Sequence, residues 1–501
     1  MSSFVCYGNA LPTPCVNDHI DIMSITHIKI NYGTFLIRNL AAIVKTLFDK
    51  DTGMSQTLFR TPKGTHDTLP EDHQYLTYIK KAVRHRARQA GFRRIDTPIF
   101  ENRAIFERGV GEHTDVIEKE LYFVNPKEKQ EQTAEFALRP EFTAGICRSY
   151  VEHGMQQLPQ PVQLYCIGPL FRHDRPQKGR YREHTQFDFE IIGIKDASLD
   201  AQLIQILTKI YEDVQILDQL TLQINNIGIG ENRRTFTEAL KEYFIGKERR
   251  LPDIDRARLE TNPLRLLDSK EEDTQLLLKN APKLDQFVDE ESKEYFETLL
   301  KYLEVLAIPY EINAGLVRGF DYYTQLVFEF WDKSTGAQNA VGGGGRYDGL
   351  IELLGGKPTP GTGFGSGVER IMWQMKQAGV RVPHKDHIDV FVAQLGPEAK
   401  KRCLRLISEL REKGVHTLGA LGEASLKSQM RLADHFGAAF TLVLGKMEVK
   451  KNVIIIRDMK AGKQQEIPFE KAIPHIIKHI GAEKLDTYVL RDQMGGEFDE
   501  D

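Results

Sequence analysis

Between residues 70 and 90 the apolar side chains Leu76, Ile79, Val83, Ala87 and Ala90 recur every three or four positions, one stripe of an amphipathic helix. Gly91 is the expected stop, because glycine enters the left-handed conformation that ends helices at little cost. Residues 92–100 then read as a strand, and Pro98 confines it to an edge or a bulge. Dense, short apolar runs at 162–168 and 185–194 predict two further strands, joined by the almost wholly polar stretch 172–183.

A Lys, Glu and Leu mixture with helical periodicity and few glycines covers about 231–304 and predicts a helical insertion, expected outside the main core. Strand patterns return at 310–313, 324–331, 340–342 and 361–367, followed by a helix carrying Val368, Ile371, Met372 and Met375. Strands follow one another here without regular βαβ alternation, which predicts an α+β domain with a largely antiparallel sheet flanked by helices.

The pattern changes after Pro383: strand 388–394, helices 398–413 and 425–436, strands 440–444 and 453–457, and a helix at 473–480. That alternation predicts a separate small α/β domain with a mostly parallel, doubly covered sheet, joined by a linker at 380–386. The expected layout is an N-terminal extension at 1–53, a catalytic domain at 54–382, the small domain at 386–482 and an acidic tail at 483–501, with 495–501 expected to be disordered. The text changes character just after Met54, which is the expected effective start.

A formal charge of −4 argues against an overall basic coat, yet phosphate contacts need only a local positive face. Cys6, Cys15, Cys147, Cys166 and Cys403 are scattered without Cys-x-x-Cys pairing or zinc-finger spacing, so no metal site and a reduced, cytoplasmic setting are expected. Arg38 and Lys45 interrupt the most apolar early segment, short of the roughly 18 apolar residues of a membrane span. Asp18 and Asp21 argue against a secretory signal.

The most informative stretch is residues 171–193, FRHDRPQKGRYREHTQFDFEIIG, where Arg172, Arg175, Lys178, Arg180 and Arg182 crowd the loop between two strands. A solvated loop is the commoner origin of such density. The alternative is an anion, since guanidinium groups bind phosphate oxygens bidentately and keep their charge. On the returning strand Gln186, Asp188 and Glu190 alternate, which puts three polar side chains on one face. A ligand-lined face and an ordinary solvent-facing one fit that pattern equally. LVRGFDYYTQLVFEF, residues 316–330, sets Arg318 before the pair Tyr322–Tyr323, and GGGGRYDG (342–349) and GTGFGSGVER (361–370) would let a ligand approach the backbone. Neither glycine-rich stretch matches a dinucleotide fingerprint or a Walker loop.

These blocks resemble the motifs of class II aminoacyl-tRNA synthetases, and the histidyl-tRNA synthetase family in particular, over roughly residues 57–480. The helix before Gly91 with Thr97–Pro98–Ile99 is similar to the first motif, Phe171–Arg172 through Glu190 to the second, and Gly363–Phe364–Gly365 through Glu369–Arg370 to the third. LRPEFTA (138–144) and LVRGFDYY (316–323) are the segments that single out the histidine enzyme. The resemblance implies a class II antiparallel catalytic sheet, an anticodon-binding α/β domain, ATP with Mg2+, L-histidine and tRNA(His) as partners, and a homodimer through the first motif.

By the same resemblance Arg172 and Arg318 contact the α-phosphate, Arg370 holds the γ-phosphate end of a bent ATP, and Phe187 surrounds the adenine. Glu190 and Tyr323, beside Tyr322, pair the imidazole nitrogens, while Glu141, Thr143 and Gln186 take the ammonium group. Lys427, Arg431, Lys446, Lys450 and Lys451 supply RNA backbone contacts. The implied reaction ligates histidine to tRNA(His) through an adenylate. The alternative is a regulatory subunit of histidine biosynthesis that has lost aminoacylation. Two departures from the family pattern touch the pocket: Phe142 stands where glycine is usual, and Glu183–His184–Thr185 replaces a more aromatic stretch.

Overall fold

The computed structural model describes residues 59–111, 114–125, 135–174, 179–334, 336–383, 388–419, 422 and 425–486. The extension at 1–53, Met54, Cys6, Cys15, Arg175, Lys178 and the tail beyond 486 lie outside the described residues. By contacts the chain divides into Met1–Pro62 and Lys63–Asp501, and every sheet belongs to the second unit. Among the described residues no helix is long and apolar enough to cross a membrane.

The amphipathic stripe near the start forms the helix Pro70–Gln89, with Leu76, Ile79, Val83 and Ala87 buried. Proline opens it, Glu71 and Asp72 sit in its first turn and Arg86 and Arg88 in its last, all favourable to the helix dipole. Gly91 ends it at φ +78°. Arg86 clamps Asp213 with two bonds of 2.6 Å, fastening this helix to the helix Ala197–Asp213.

The single strand expected at 92–100 is broken into β1 (Arg93–Arg94) and β2 (Phe100–Asn102). Pro98 has no N–H to donate. The carbonyls of Thr97 and Pro98 instead accept Arg139 Nη1 at 2.5 and 3.4 Å. β2 joins β3 (Phe123–Val124) and β4 (Phe136–Leu138) in a small antiparallel sheet.

The main sheet adds β5 (Val162–Phe171), β6 (Glu183–Ile192), β7 (Leu220–Asn226), β8 (Glu311–Ile312), β9 (Thr324–Asp332), β10 (Gly336–Arg346) and β11 (Gly361–Gly367). Its order is β1-β5-β6-β11-β10-β9-β7-β8, antiparallel except for the outermost pairs β1–β5 and β7–β8. The helix Val368–Gln377 follows β11. The helix Ala197–Asp213 and β7, which the apolar pattern above leaves unassigned, both contribute to the core.

The insertion forms the helices Gly230–Phe244, Asp253–Thr261, Glu272–Leu278 and Glu290–Val305. It is not outside the core, contrary to the expectation. Phe236, Leu240, Phe244 and Leu266 share a buried cluster with Tyr322, Tyr323 and Tyr347, and Leu299 and Leu303 join the cluster on the main sheet. Short amphipathic helices gain most of their stability by burying their apolar stripe, and the nearest apolar surface is the sheet.

The second sheet comprises β12 (Val390–Gln394), β13 (Thr417–Gly419), β14 (Phe440–Leu444), β15 (Val453–Asp458) and β16 (Gln464–Pro468), in order β13-β12-β14-β15-β16. β12 pairs in parallel with β13 and β14, while β14–β15 and β15–β16 are antiparallel, so the sheet is mixed rather than mostly parallel. The polar, largely exposed β16 carries no apolar signal, and its hairpin with β15 is what alters the topology.

Glycines decide how β10 and β11 can pair. A Cβ on Gly344 would stand 1.9 Å from the Gly363 carbonyl oxygen, and one on Gly343 2.5 Å from that of Phe328. Backbone cannot move aside as a flexible side chain can, so Gly344→Ala is expected to cost at least the upper end of the roughly 1–3 kcal/mol typical of overpacking. A thermal melt unchanged from wild type would contradict the pairing.

Candidate active site

Gln186, Asp188 and Glu190 of β6 share one face, while Phe187, Phe189 and Ile191 point the other way into the core. Across the strand pair, Gly367, Gly365 and Gly363 of β11 stand opposite those three polar residues. The register matters because a Cβ on Gly363 would lie 1.7 Å from Glu190 Oε2, and one on Gly365 2.3 Å from Gln186 Nε2. Glycine on one strand and polar side chains on the next make a floor over which a cavity of about 1150 Å³ opens.

One part of that cavity is cationic. Arg172, Arg180, Arg318 and Arg370 all line it. Arg172 is held by its Nε bond to Pro140 O (2.7 Å), and its guanidinium lies 5.4 Å from the Phe320 ring centre. Arg318 pairs with Glu329. Arg370 donates to the Ala340 carbonyl, and burial, reinforced by Arg180 and Arg172, pushes it down to about 10. Burial also lowers Arg172. Cations crowded in this way are relieved by a bound anion. His184, lining the same region, is pushed down to about 3 by burial and by Arg172 and Arg370, so it stays neutral.

Another part is acidic and aromatic. Thr143 and Ala144 begin the helix Thr143–Glu152, and Glu141 just before it accepts the Ala144 N–H at 2.9 Å. Thr143 Oγ1 donates to Glu190 Oε1 at 2.7 Å, and Tyr347 donates to Glu190 Oε2 at 2.5 Å. Gln186 Nε2 donates to Asp188 Oδ1 at 2.8 Å. Burial raises Glu141 and Asp188 to about 7, and raises Glu190 well above the carboxylate range with help from Asp188. Tyr322 lies beside them, its ring centre 4.6 Å from that of Tyr323 and 5.9 Å from that of Tyr347. Mutually repelling carboxyls out of water favour a cationic partner.

Glu141, Thr143, Arg172, Gln186, Arg318, Tyr322, Tyr323 and Arg370, expected from the sequence, therefore line one cavity. Two expected residues are placed differently. Phe187 is fully buried on the far face of β6, with Phe189 and Phe364, because strand alternation sends it away from Gln186 and Asp188; an adenine contact through it is corrected on that ground. Glu190 lies beneath the floor, both oxygens already engaged by Thr143 and Tyr347, so it stands behind the lining rather than in it.

Phe142 packs in the core with Arg139 above its ring at 4.6 Å and does not narrow the cavity. In the basic loop, Arg182 braces the turn instead of lining the cavity, donating to Lys63 O at 3.1 Å. Asp188, Glu329 and Tyr347 line the cavity without having been expected as site residues. Asp188 is visible in the alternation of β6, and Tyr347 sits inside the glycine-rich block, whereas Glu329 is one polar position in an apolar strand.

A model described as histidyl-tRNA synthetase matches residues 64–371, and one described as an anticodon binding domain matches residues 389–479. The chain is 42% identical over 423 residues to a histidine–tRNA ligase of Dehalococcoides mccartyi (strain ATCC BAA-2266 / KCTC 15142 / 195), covering 84% of this chain and 100% of that one. It is 39% identical over 419 residues to a histidine–tRNA ligase of Acetivibrio thermocellus, with 84% and 99% covered. Among solved structures, apo histidyl-tRNA synthetase from S. aureus superposes with a TM-score of 0.68 at 33% identity, covering 84% of this chain and all of the other.

Proposed function

Because the chain belongs to the histidyl-tRNA synthetase family, enzymes that ligate histidine to tRNA, we propose that it makes histidyl-tRNA(His) in two steps through a histidyl-adenylate formed in this cavity. The observation that carries the reading is the arrangement of one cavity lined by arginines in one part and by carboxyls and tyrosines in another. Such a cavity suits a triphosphate next to a small amino acid. Family membership together with a matched anticodon-binding domain supports this reading over a non-catalytic regulatory subunit.

In the first step the histidine carboxylate attacks the α-phosphorus. Arg172 and Arg318 stabilise the charge developing on the phosphate oxygens, and Arg370 holds the departing pyrophosphate. Mg2+ would come with ATP and offset phosphate charge, and the carboxylates Glu120 and Asp268, which line the cavity, are oxygen donors of the type that would hold it. No protein nucleophile is needed. In the second step a hydroxyl of the terminal tRNA ribose attacks the adenylate carbonyl and AMP leaves, with positioning supplying much of the rate.

Glu141, Thr143 and Gln186 receive the substrate ammonium. Tyr322 and Tyr323 face the imidazole, with Glu190 acting from behind through Thr143 and Tyr347. A dry site built to satisfy both ring nitrogens penalises amino acids that lack them. ATP–pyrophosphate exchange measured with each standard amino acid tests the reading. Histidine alone should support exchange, and exchange with a different amino acid, or none with histidine, would overturn it.

The raised carboxyls carry a pH prediction. A cation binds the ionised form of Glu141 and Asp188, which prevails above about pH 7 and is lost as the pH falls through that value. The KM for histidine, corrected for the substrate's own imidazole protonation, should therefore rise on going from pH 8 to pH 6 while the KM for ATP changes less. A flat profile would remove Glu141 from ammonium binding and Asp188, which holds Gln186, from supporting it.

The chain acts as a homodimer in this reading, supported by exposed apolar residues on and beside the small sheet: Ile99 at 46%, Phe100 at 55% and Phe123 at 51% accessibility. The catalytic role is assigned to the segment matched at residues 64–371 and tRNA reading to the segment matched at 389–479, within the expected domains 54–382 and 386–482. Lys427, Arg431, Lys446, Lys450 and Lys451 are exposed, which supports their use as phosphate contacts.

A further inference from the structure

Arg318 is gripped on one side and left open on another. Its Nη1 forms an ion pair with Glu329 Oε1, and its Nη2 reaches the Gly343 carbonyl at 3.4 Å. The guanidinium carbon stands 5.6 Å from the Tyr323 ring centre, with the Tyr323 hydroxyl as a further neighbour of the guanidinium. Nε is buried and, among the described residues, donates to nothing. Glu329 is itself immobilised, because its second oxygen accepts Trp331 Nε1–H at 2.7 Å. Glu329 and Trp331 lie two residues apart on β9, hence on the same face of that strand, and both line the cavity.

We propose that Glu329, held by Trp331, is a positioning residue for adenylate formation: it fixes the guanidinium of Arg318 so that its unengaged N–H groups meet the reacting phosphate. A long side chain with several rotatable bonds does not hold an orientation unaided, and a displacement of about 1 Å at a reacting centre costs on the order of a hundredfold in rate. The carboxylate also weakens the positive field around Arg318, so its contribution to ground-state attraction for ATP is unfavourable. Orientation and attraction are thereby separated. This inference rests on the role given to Arg318 above.

The test uses the full chain and ATP–pyrophosphate exchange with histidine. Glu329→Gln keeps the shape and an acceptor for Trp331 but removes the charge. It is expected to lower kcat by about tenfold or more while leaving the KM for ATP unchanged or reduced. Trp331→Phe, which removes the N–H that holds Glu329, is expected to lower kcat about threefold to fivefold with the same KM pattern, a partial loss because the ion pair itself survives. Glu329→Ala made on an Arg318→Ala background should change the residual rate by no more than about twofold, because a residue that acts only through Arg318 has nothing left to position.

Normal kcat in Glu329→Gln, a raised KM for ATP in its place, or a further tenfold loss in the double variant would each overturn the proposal. Arg318→Ala separates the two readings. If that enzyme exchanges at a near-normal rate, the role of Arg318 itself falls; if it is inert while Glu329→Gln is normal, only the positioning role falls. Melting curves that match wild type establish that each variant is folded.

Discussion

Arg318→Ala is expected to reduce histidine-dependent pyrophosphate exchange by about 10³-fold with little change in the affinity for histidine. Removing one preorganised donor aimed at developing charge costs roughly 10²–10³ in turnover, and a full guanidinium supplies more than one such donor. The cavity offers Arg172 and Arg370 as remaining cations, but Arg172 is tethered to Pro140 and Arg370 to the Ala340 carbonyl. Neither is free to take the vacated place. Arg318 at 19% and Glu329 at 14% accessibility both line the open cavity, so water entering it can solvate the Glu329 carboxylate left behind and the fold should survive. A circular dichroism melt should stay close to wild type. Exchange within threefold of wild type would show that Arg318 is not a phosphate ligand in the rate-determining step.

The largest loss of stability is expected at Arg346, whose side chain is fully buried. It donates to Asp200 Oδ1 at 2.8 Å, to the Tyr295 hydroxyl at 2.9 Å and to Asp348 at 3.1 Å, while Tyr295 donates to Asp200 Oδ2 at 2.6 Å. Groups from two helices, a strand and the turn after it thus meet in one buried network. Arg346→Ala leaves Asp200 charged and fully buried, and breaking one partner out of such a pair costs about 3–5 kcal/mol.

The pH dependence follows from the sign of the shift. Burial raises Asp200 and Arg346 opposes that rise, so without the arginine the carboxyl moves up further. The destabilisation should be full above that raised value and should shrink as the pH falls through it and the group protonates. Replacing both partners by apolar residues, Arg346→Met with Asp200→Leu, should recover much of the loss, because no fully buried charge is left unpaired and Asp348, at 24% accessibility, is still reached by water. A single Arg346→Ala variant that melts with wild type at pH 8 would exclude this account. Since Tyr347 follows Arg346 directly and bonds Glu190, the same variant should also raise the KM for histidine.

Much of the site is legible in the sequence. Arg172, Arg318 and Arg370 stand in blocks whose chemistry is written locally: a charged loop between apolar strands, an arginine before a tyrosine pair, an arginine after a glycine-rich strand. The alternation of Gln186, Asp188 and Glu190 announces a polar face, although not what it faces. Glu329 carries no such mark. One carboxylate in the run TQLVFEF reads as an outward-facing strand position, and only the ion pair with Arg318, eleven residues earlier in the chain, gives it a function.

The two misplaced residues share one cause. Phe187 and Glu190 follow Arg172 at the distances along β6 that the family motif suggests, but position along a strand says nothing about depth. Phe187 faces the core because its neighbours Gln186 and Asp188 face the cavity. Glu190 shares their face, yet Tyr347 and Thr143 reach it first, from segments 157 and 47 residues away. The mixed order of the second sheet escapes the hydrophobic pattern for a related reason: β16 is too polar to register as a strand, and its pairing with β15 supplies the order that its own composition does not.

By itself the sequence determined the family, the large α+β sheet followed by a smaller α/β one, and which arginines line the cavity, because hydrophobic period and local charge act between neighbours in the chain. Only the tertiary structure decided which carboxylates line the cavity, which lie beneath it, and which arginines are already held by a partner. Those outcomes depend on residues that meet across strands and over long separations, where burial and competition for each hydrogen bond, rather than spacing, set the result.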